Sequence, residues 1–94
     1  MAGYWVVRGG AIKDQNALQA YGKLWPSIAE RYGAEIIAGK AGIETREGPE
    51  YPRQLVIRFS SYEKAVACYE DPEYQEAMKL AHQAYDRQLS ILEG

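Results

Sequence analysis

One histidine, one cysteine, two strand arginines and a band of helical aromatics are the residues of this chain that could do chemistry. His82 is the sole imidazole, so any Ser-His or Cys-His relay has a single candidate base. On a helix it stands about 80° around from Tyr74, at the margin of the apolar face. There an imidazole can look into a cleft, for acid–base work or axial ligation, or sit half in solvent with no role. Cys68 has no cation forced beside it and no histidine placed to activate it, and it reads as a bystander thiol.

Arg8 and Arg58 belong to strands expected at the centre of a sheet, where an unpaired charge is costly. Guanidinium forks suit carboxylates and phenolates, so the two can grip an anionic ligand. They can equally pair with Glu35, Glu44 or Glu93 at the sheet surface. Tyr21, Trp25, Tyr32, Tyr62, Tyr69 and Tyr74 fall on inward helical faces. They form either a helix–sheet core or the wall of a pocket for a planar apolar ligand. Buried tyrosine hydroxyls need partners or a wet cavity, which phenylalanine would not. With one His, one Cys and no close carboxylate pair, no metal site is expected.

The elements that must carry these residues fit one domain over residues 1–94. A content of 47% hydrophobic and 26% charged residues is that of an ordinary folded chain. Eleven basic and 13 acidic residues are interspersed, with a net charge of −2 and no basic stripe, so nucleic acid is not an expected partner. No apolar run approaches the roughly 20 residues that span a bilayer, and no leader pattern opens the chain. A lone cysteine agrees with a reducing cytoplasm.

Tyr4-Trp5-Val6-Val7-Arg8 reads as a first strand running to about Ile12, with Gly9-Gly10 marking a bulge or a close approach to the backbone. No GxGxxG or GK[ST] follows, so the glycines are not read as a phosphate loop. Asp14 or Asn16 caps a helix ending at Gly33, kinked at Pro26 but continuous because residue 22 is glycine. Glu35 to about Glu44 is a second strand, residues 46–52 a turn, and Gln54–Phe59 a third strand. Ser60 with Glu63 suggests a capping box for the next helix, and Asp71-Pro72 restarts another. Gln88–Leu92 closes the chain as a fourth strand.

This order, β-α-β-β-α(α)-β, is the α+β ferredoxin-like plan, a four-stranded antiparallel sheet with its helices on one face. Alternation sets Val56 against Ile57, Trp5 against Val6 and Leu89 against Ser90, so apolar residues also fall on the face away from the helices. Burial of that face against a second copy predicts a homodimer joined sheet to sheet. Strand three, Gln-Leu-Val-Ile-Arg-Phe, lacks the stacking aromatics of the RNA-recognition domains that share this topology.

The chain resembles the small bacterial proteins of domain-of-unknown-function family 1330, in the dimeric α/β-barrel superfamily. The resemblance rests on Gly3-Tyr4-Trp5-Val6-Val7-Arg8, Tyr32-Gly33, Glu47-Gly48-Pro49 and Arg53 with the strand to Phe59. It continues through Ser61-Tyr62-Glu63, Ala65, Tyr69 and Pro72-Glu73-Tyr74-Gln75. Gly9-Gly10 departs from the bulkier residues expected there. The resemblance implies a dimer whose two sheets form a barrel. The wider superfamily holds cofactor-independent monooxygenases, lactone isomerases and haem proteins, an analogy of fold alone.

The sequence is therefore read as a cytoplasmic homodimer binding a small aromatic or anionic metabolite between helices and sheet, with no cofactor. As an enzyme it would be a cofactor-independent monooxygenase or isomerase. The expected ligand-binding residues are Arg8, Tyr21, Trp25, Arg58 and Tyr69, with His82 as the acid–base group. The alternative is a non-catalytic module whose sheet-to-sheet dimer is the functional unit.

Overall fold

The computed structural model describes residues 1–94. Strand β1 (Gly3–Gly9) leads into helix α1 (Gln15–Tyr32), followed by strands β2 (Glu35–Ala38) and β3 (Arg53–Phe59). Helices α2 (Tyr62–Glu70) and α3 (Pro72–Ala84) then precede strand β4 (Arg87–Glu93). The strands form one antiparallel sheet in the order β2-β3-β1-β4. This is the ferredoxin-like plan expected from the sequence. No helix is long and apolar enough to cross a membrane.

Local chemistry sets the boundaries. The Ala17 amide donates to Asp14 Oδ1 at 3.0 Å, so Asp14, rather than Asn16, opens α1. Gly33 closes it in the left-handed conformation. The helix runs unbroken through Pro26. Helix α2 is capped by Ser61 and not by Ser60: the Lys64 amide donates to Ser61 Oγ at 3.1 Å. Ser61 keeps the extended backbone of the strand before it, which moves the cap one residue on and dissolves the expected box with Glu63. Asp71 caps α3, with Pro72 in its first turn.

Two strands differ in length from their sequence expectation. The first ends at Gly9, not near Ile12. The second ends at Ala38, not near Glu44, because the chain turns out of the sheet at Gly39. Gly39 has φ +107, and a side chain there would run into the backbone of Gln54.

The helix-facing row of the sheet carries Trp5, Val7, Leu55, Ile57 and Phe59, and Trp5 and Phe59 have no exposed surface. Ile28 from α1, Ala65 and Cys68 from α2, and Tyr74 and Ala77 from α3 complete the core. Cys68 is thus fully buried. Helix α1 packs closely on α3 and meets the sheet through side chains such as Ile28 and Trp25. That arrangement leaves room between α1 and the sheet.

Gly9 is where another group lies on the strand. The Tyr85 ring occupies the space a Cβ would take, whereas nothing stands near Gly10. Gly9→Ala should therefore lower stability by about 1–3 kcal/mol through overpacking. Gly10→Ala should change it by less than about 0.5 kcal/mol. Urea unfolding of both variants checks this, and equal effects at the two positions would refute the assignment.

Candidate functional site

Between α1 and the sheet lies a cleft of about 270 Å³. Leu18, Tyr21, Gly22 and Trp25 supply its helical wall, and Trp5, Val7, Ile36, Leu55 and Ile57 its floor. At its polar end stand Arg53, Arg87 and Tyr85. The geometry follows from register. Arg53 of β3 and Arg87 of β4 are both paired with Gly9 of β1, so the three form one row across the sheet. Side chains in one row share a face, here the helix face. The two Cα atoms are two strand spacings apart, about 10 Å. The missing side chain at Gly9 leaves the middle of the row to the Tyr85 ring.

Both arginines are held by aromatic faces. Arg53 Cζ lies 5.0 Å from the Tyr85 ring centroid, and Arg87 Cζ lies 5.7 Å from that of Tyr21. Arg87 Nη2 also donates to Tyr74 Oη at 2.6 Å. Neither guanidinium has a carboxylate within ion-pair distance; the ion pairs of the chain all lie elsewhere. The Nε atoms of Arg53 and Arg87 are buried without a protein acceptor. A buried charged donor with no acceptor is unfavourable by a few kcal/mol unless a ligand or solvent molecule completes it.

Tyr21 remains neutral. Burial, then the neighbouring Tyr74 oxygen, pushes the Tyr21 phenol well above its ordinary pKa. Burial works against the charge of Arg87, but the oxygens of Tyr74, Tyr21 and Tyr85 outweigh it and its pKa is raised. The cleft therefore presents fixed positive charge and the neutral Tyr21 hydroxyl over an apolar floor.

The residues singled out from sequence divide between the two sides of the sheet. Tyr21 and Trp25 line the cleft, and their rings lie parallel within 8° at 6.3 Å. Tyr69 does not line it. Its ring packs edge-on to Trp5 at 5.9 Å, and its hydroxyl donates to Met78 Sδ at 3.0 Å. His82 is exposed on α3, outside the cleft. Arg8 and Arg58 are exposed on the sheet face turned away from the helices. Glu35 stands opposite Arg58 in the register, yet neither Arg8 nor Arg58 forms an ion pair within the chain. Arg8 instead lies 6.0 Å from the Tyr51 ring centroid, in an open groove shared with Val6, Val56 and Ile43.

Arg53 and Arg87 are the residues that sequence reasoning passed over. The signal was strand parity. Arg53 has the parity of Leu55, Ile57 and Phe59, and Arg87 that of Leu89 and Ile91, so both must face the helices.

Sheet order, helix placement and cleft make this a ferredoxin-like protein. Residues 2–94 match the family described as a domain of unknown function, DUF1330, and the chain belongs to that family. Among solved structures, it resembles the RPA0582 protein of unknown function from Rhodopseudomonas palustris. The TM-score is 0.72 at 20% identity, over 99% of this chain and 82% of that one. A dimeric ferredoxin-like protein of unknown function from Thermobifida fusca matches with a TM-score of 0.64 at 9% identity, over 100% of this chain and 92% of that one. One from Bacteroides fragilis, also described as dimeric and ferredoxin-like, matches with a TM-score of 0.51 at 13% identity, over 99% and 96%. At these identities the likeness is one of fold. No curated protein matches the chain.

Cys68 is not part of this chemistry. Burial, then the nearby Asp71 charge, pushes its thiol from 9.0 up to about 12. At pH 8 the native chain should offer roughly a thousandth of the thiolate of a free cysteine, and a thiol reagent should label it only after unfolding. The protonated thiol's contribution to stability is intact below pH 9 and is lost as pH rises toward 12. Cys68→Ala should therefore flatten the alkaline fall in stability. Rapid labelling of the native protein at pH 8 would contradict the assignment.

Proposed function

We propose that the cleft binds a small organic anion, an apolar or aromatic carboxylate, with its charge on Arg53 and Arg87 and its body along Trp25, Ile36 and Ile57. The observation that carries this reading is the pair of arginines lining an apolar cleft with no carboxylate partner, each with a buried Nε that lacks a protein acceptor. A charged donor of this kind favours an acceptor-only, ionised partner. Size supports a single ring: an apolar cavity of about 150 Å³ takes benzene, and this cleft holds about 270 Å³. The proposal takes up the aromatic or anionic metabolite expected from sequence, with Arg53 and Arg87 in the gripping role first given to Arg8 and Arg58. His82 and Tyr69, standing outside the cleft, have no part in it. An oxygenation or isomerisation at this site would rest on stabilising a ligand anion, since the lining holds no carboxylate or histidine to act as base.

Thermal unfolding with millimolar benzoate and phenylacetate tests the reading. A ligand that binds only the folded chain raises the midpoint by mass action. The acids should raise it and benzamide should not. Arg87→Gln should weaken binding at least about tenfold, the worth of one charged hydrogen bond. Acids and amide behaving alike, or a variant that binds as well as the parent, would remove the anion site.

The functional unit proposed is a homodimer closed by the outer face of the sheet, in the reducing cytoplasm that the single buried thiol suits. Val6, Val56 and Leu92 lie on that face, and Leu92 is 52% exposed. Two of the structural neighbours are described as dimeric. Arg8 and Arg58, with Glu35 and Glu44 close by, carry both signs of charge for pairing between copies. Sedimentation at micromolar concentration should give a dimer, and Val56→Glu should give a folded monomer. A parent chain that sediments as a monomer would refute this part.

A further inference from the structure

We infer that Tyr21 is the third donor of the cleft, and that the carboxylate it serves carries a second oxygen acceptor beside the acid group, as in an aryl 2-oxo acid. The inference rests on the anion reading above and narrows its ligand class.

Hydrogen-bond direction supports it. Arg87 has only donors, so the 2.6 Å contact between Arg87 Nη2 and Tyr74 Oη uses the phenol oxygen as acceptor. Tyr74 is fully buried, and its single hydrogen has one acceptor in reach, Tyr21 Oη at 3.2 Å. A buried hydroxyl is satisfied when it donates. The chain therefore runs from Arg87 to Tyr74 to Tyr21. The Tyr21 oxygen accepts, and its own hydrogen has no protein acceptor.

Tyr21 lines the cleft beside Arg87, whose Cζ lies 5.7 Å from the Tyr21 ring. The parallel contact with Trp25 holds the ring in orientation. Its phenol also stays protonated, because burial keeps it from ionising. The polar end of the cleft thus offers two guanidinium groups without a carboxylate partner and one hydroxyl donor, and the cleft contains no side-chain carboxylate. A plain carboxylate answers the guanidinium groups and leaves the hydroxyl unmet. A carbonyl oxygen one bond further along the ligand meets it, while the ring lies over the apolar floor.

Phenylacetate and phenylglyoxylate share a carbon count and differ in this oxygen, and isothermal titration of the full chain with each tests the inference. The wild type should bind phenylglyoxylate about five- to tenfold more tightly, the worth of one neutral hydrogen bond. Tyr21→Phe keeps the ring; it should abolish that preference, so that the two acids bind the variant within about twofold of each other. Equal affinities of the two acids for the wild type would overturn the Tyr21 inference while the anion site stands. A preference that persists in Tyr21→Phe would also overturn it. Failure of both acids to bind the wild type would instead remove the anion site, and this inference with it. The wild-type comparison requires no variant to fold.

Discussion

The indole of Trp5 is the contact on which the remainder is built. It is fully buried at the centre of β1, and its Nε1 donates to the Ala65 carbonyl of α2 at 2.9 Å. Phe59 of β3, Tyr69 of α2, Tyr74 of α3 and Trp25 of α1 all place their rings within 4.9–5.9 Å of it. One side chain thus joins the neighbouring strand and all three helices. Tilted and edge-on ring contacts fix orientation as well as distance. The cleft is therefore bounded by a rigid aromatic block.

Beside that block the chain keeps two positive charges in a largely apolar place. Desolvation of a guanidinium is costly, and the usual remedy, a carboxylate partner, is missing. Weaker contacts offset the cost: the faces of Tyr85 and Tyr21 and the Tyr74 hydroxyl. Gly9 makes this possible, since only a bare backbone lets the Tyr85 ring lie between the two arginines. Such an arrangement is a local sacrifice of stability, the pattern expected where a protein keeps polar groups ready for a ligand.

Much of the architecture was legible in the sequence because it depends on local chemistry. The Asp71-Pro72 restart, the Gly33 stop and the period-two pattern of β3 are each decided within a few residues. The family resemblance was legible too, and it is confirmed over residues 2–94. What escaped depends on contacts distant in sequence. The length of β2 is set by Gly39 meeting Gln54, and the burial of Cys68 by helices stacked above it. For the site, charge drew notice to Arg8 and Arg58 in the middle of strands, although their parity turns them away from the helices. Arg53 and Arg87 sit at strand starts, where an arginine looks like an exposed terminus. Only the pairing of both with Gly9 brings them together.

That pairing also governs when a site can exist during folding. Strand β4 completes the sheet by zipping along β1, from Gly9 opposite Arg87 to Gly3 opposite Glu93, so ends of the described chain must find each other. Contacts of such long sequence separation close a large loop before any contact repays its entropy, and they form late and slowly. Helix nucleation and the β2–β3 hairpin can precede it. Neither brings Arg87 to Tyr74. The polar end of the cleft thus needs β1, β3 and β4 all in register, and native helices alone would not set Arg53 and Arg87 in one row.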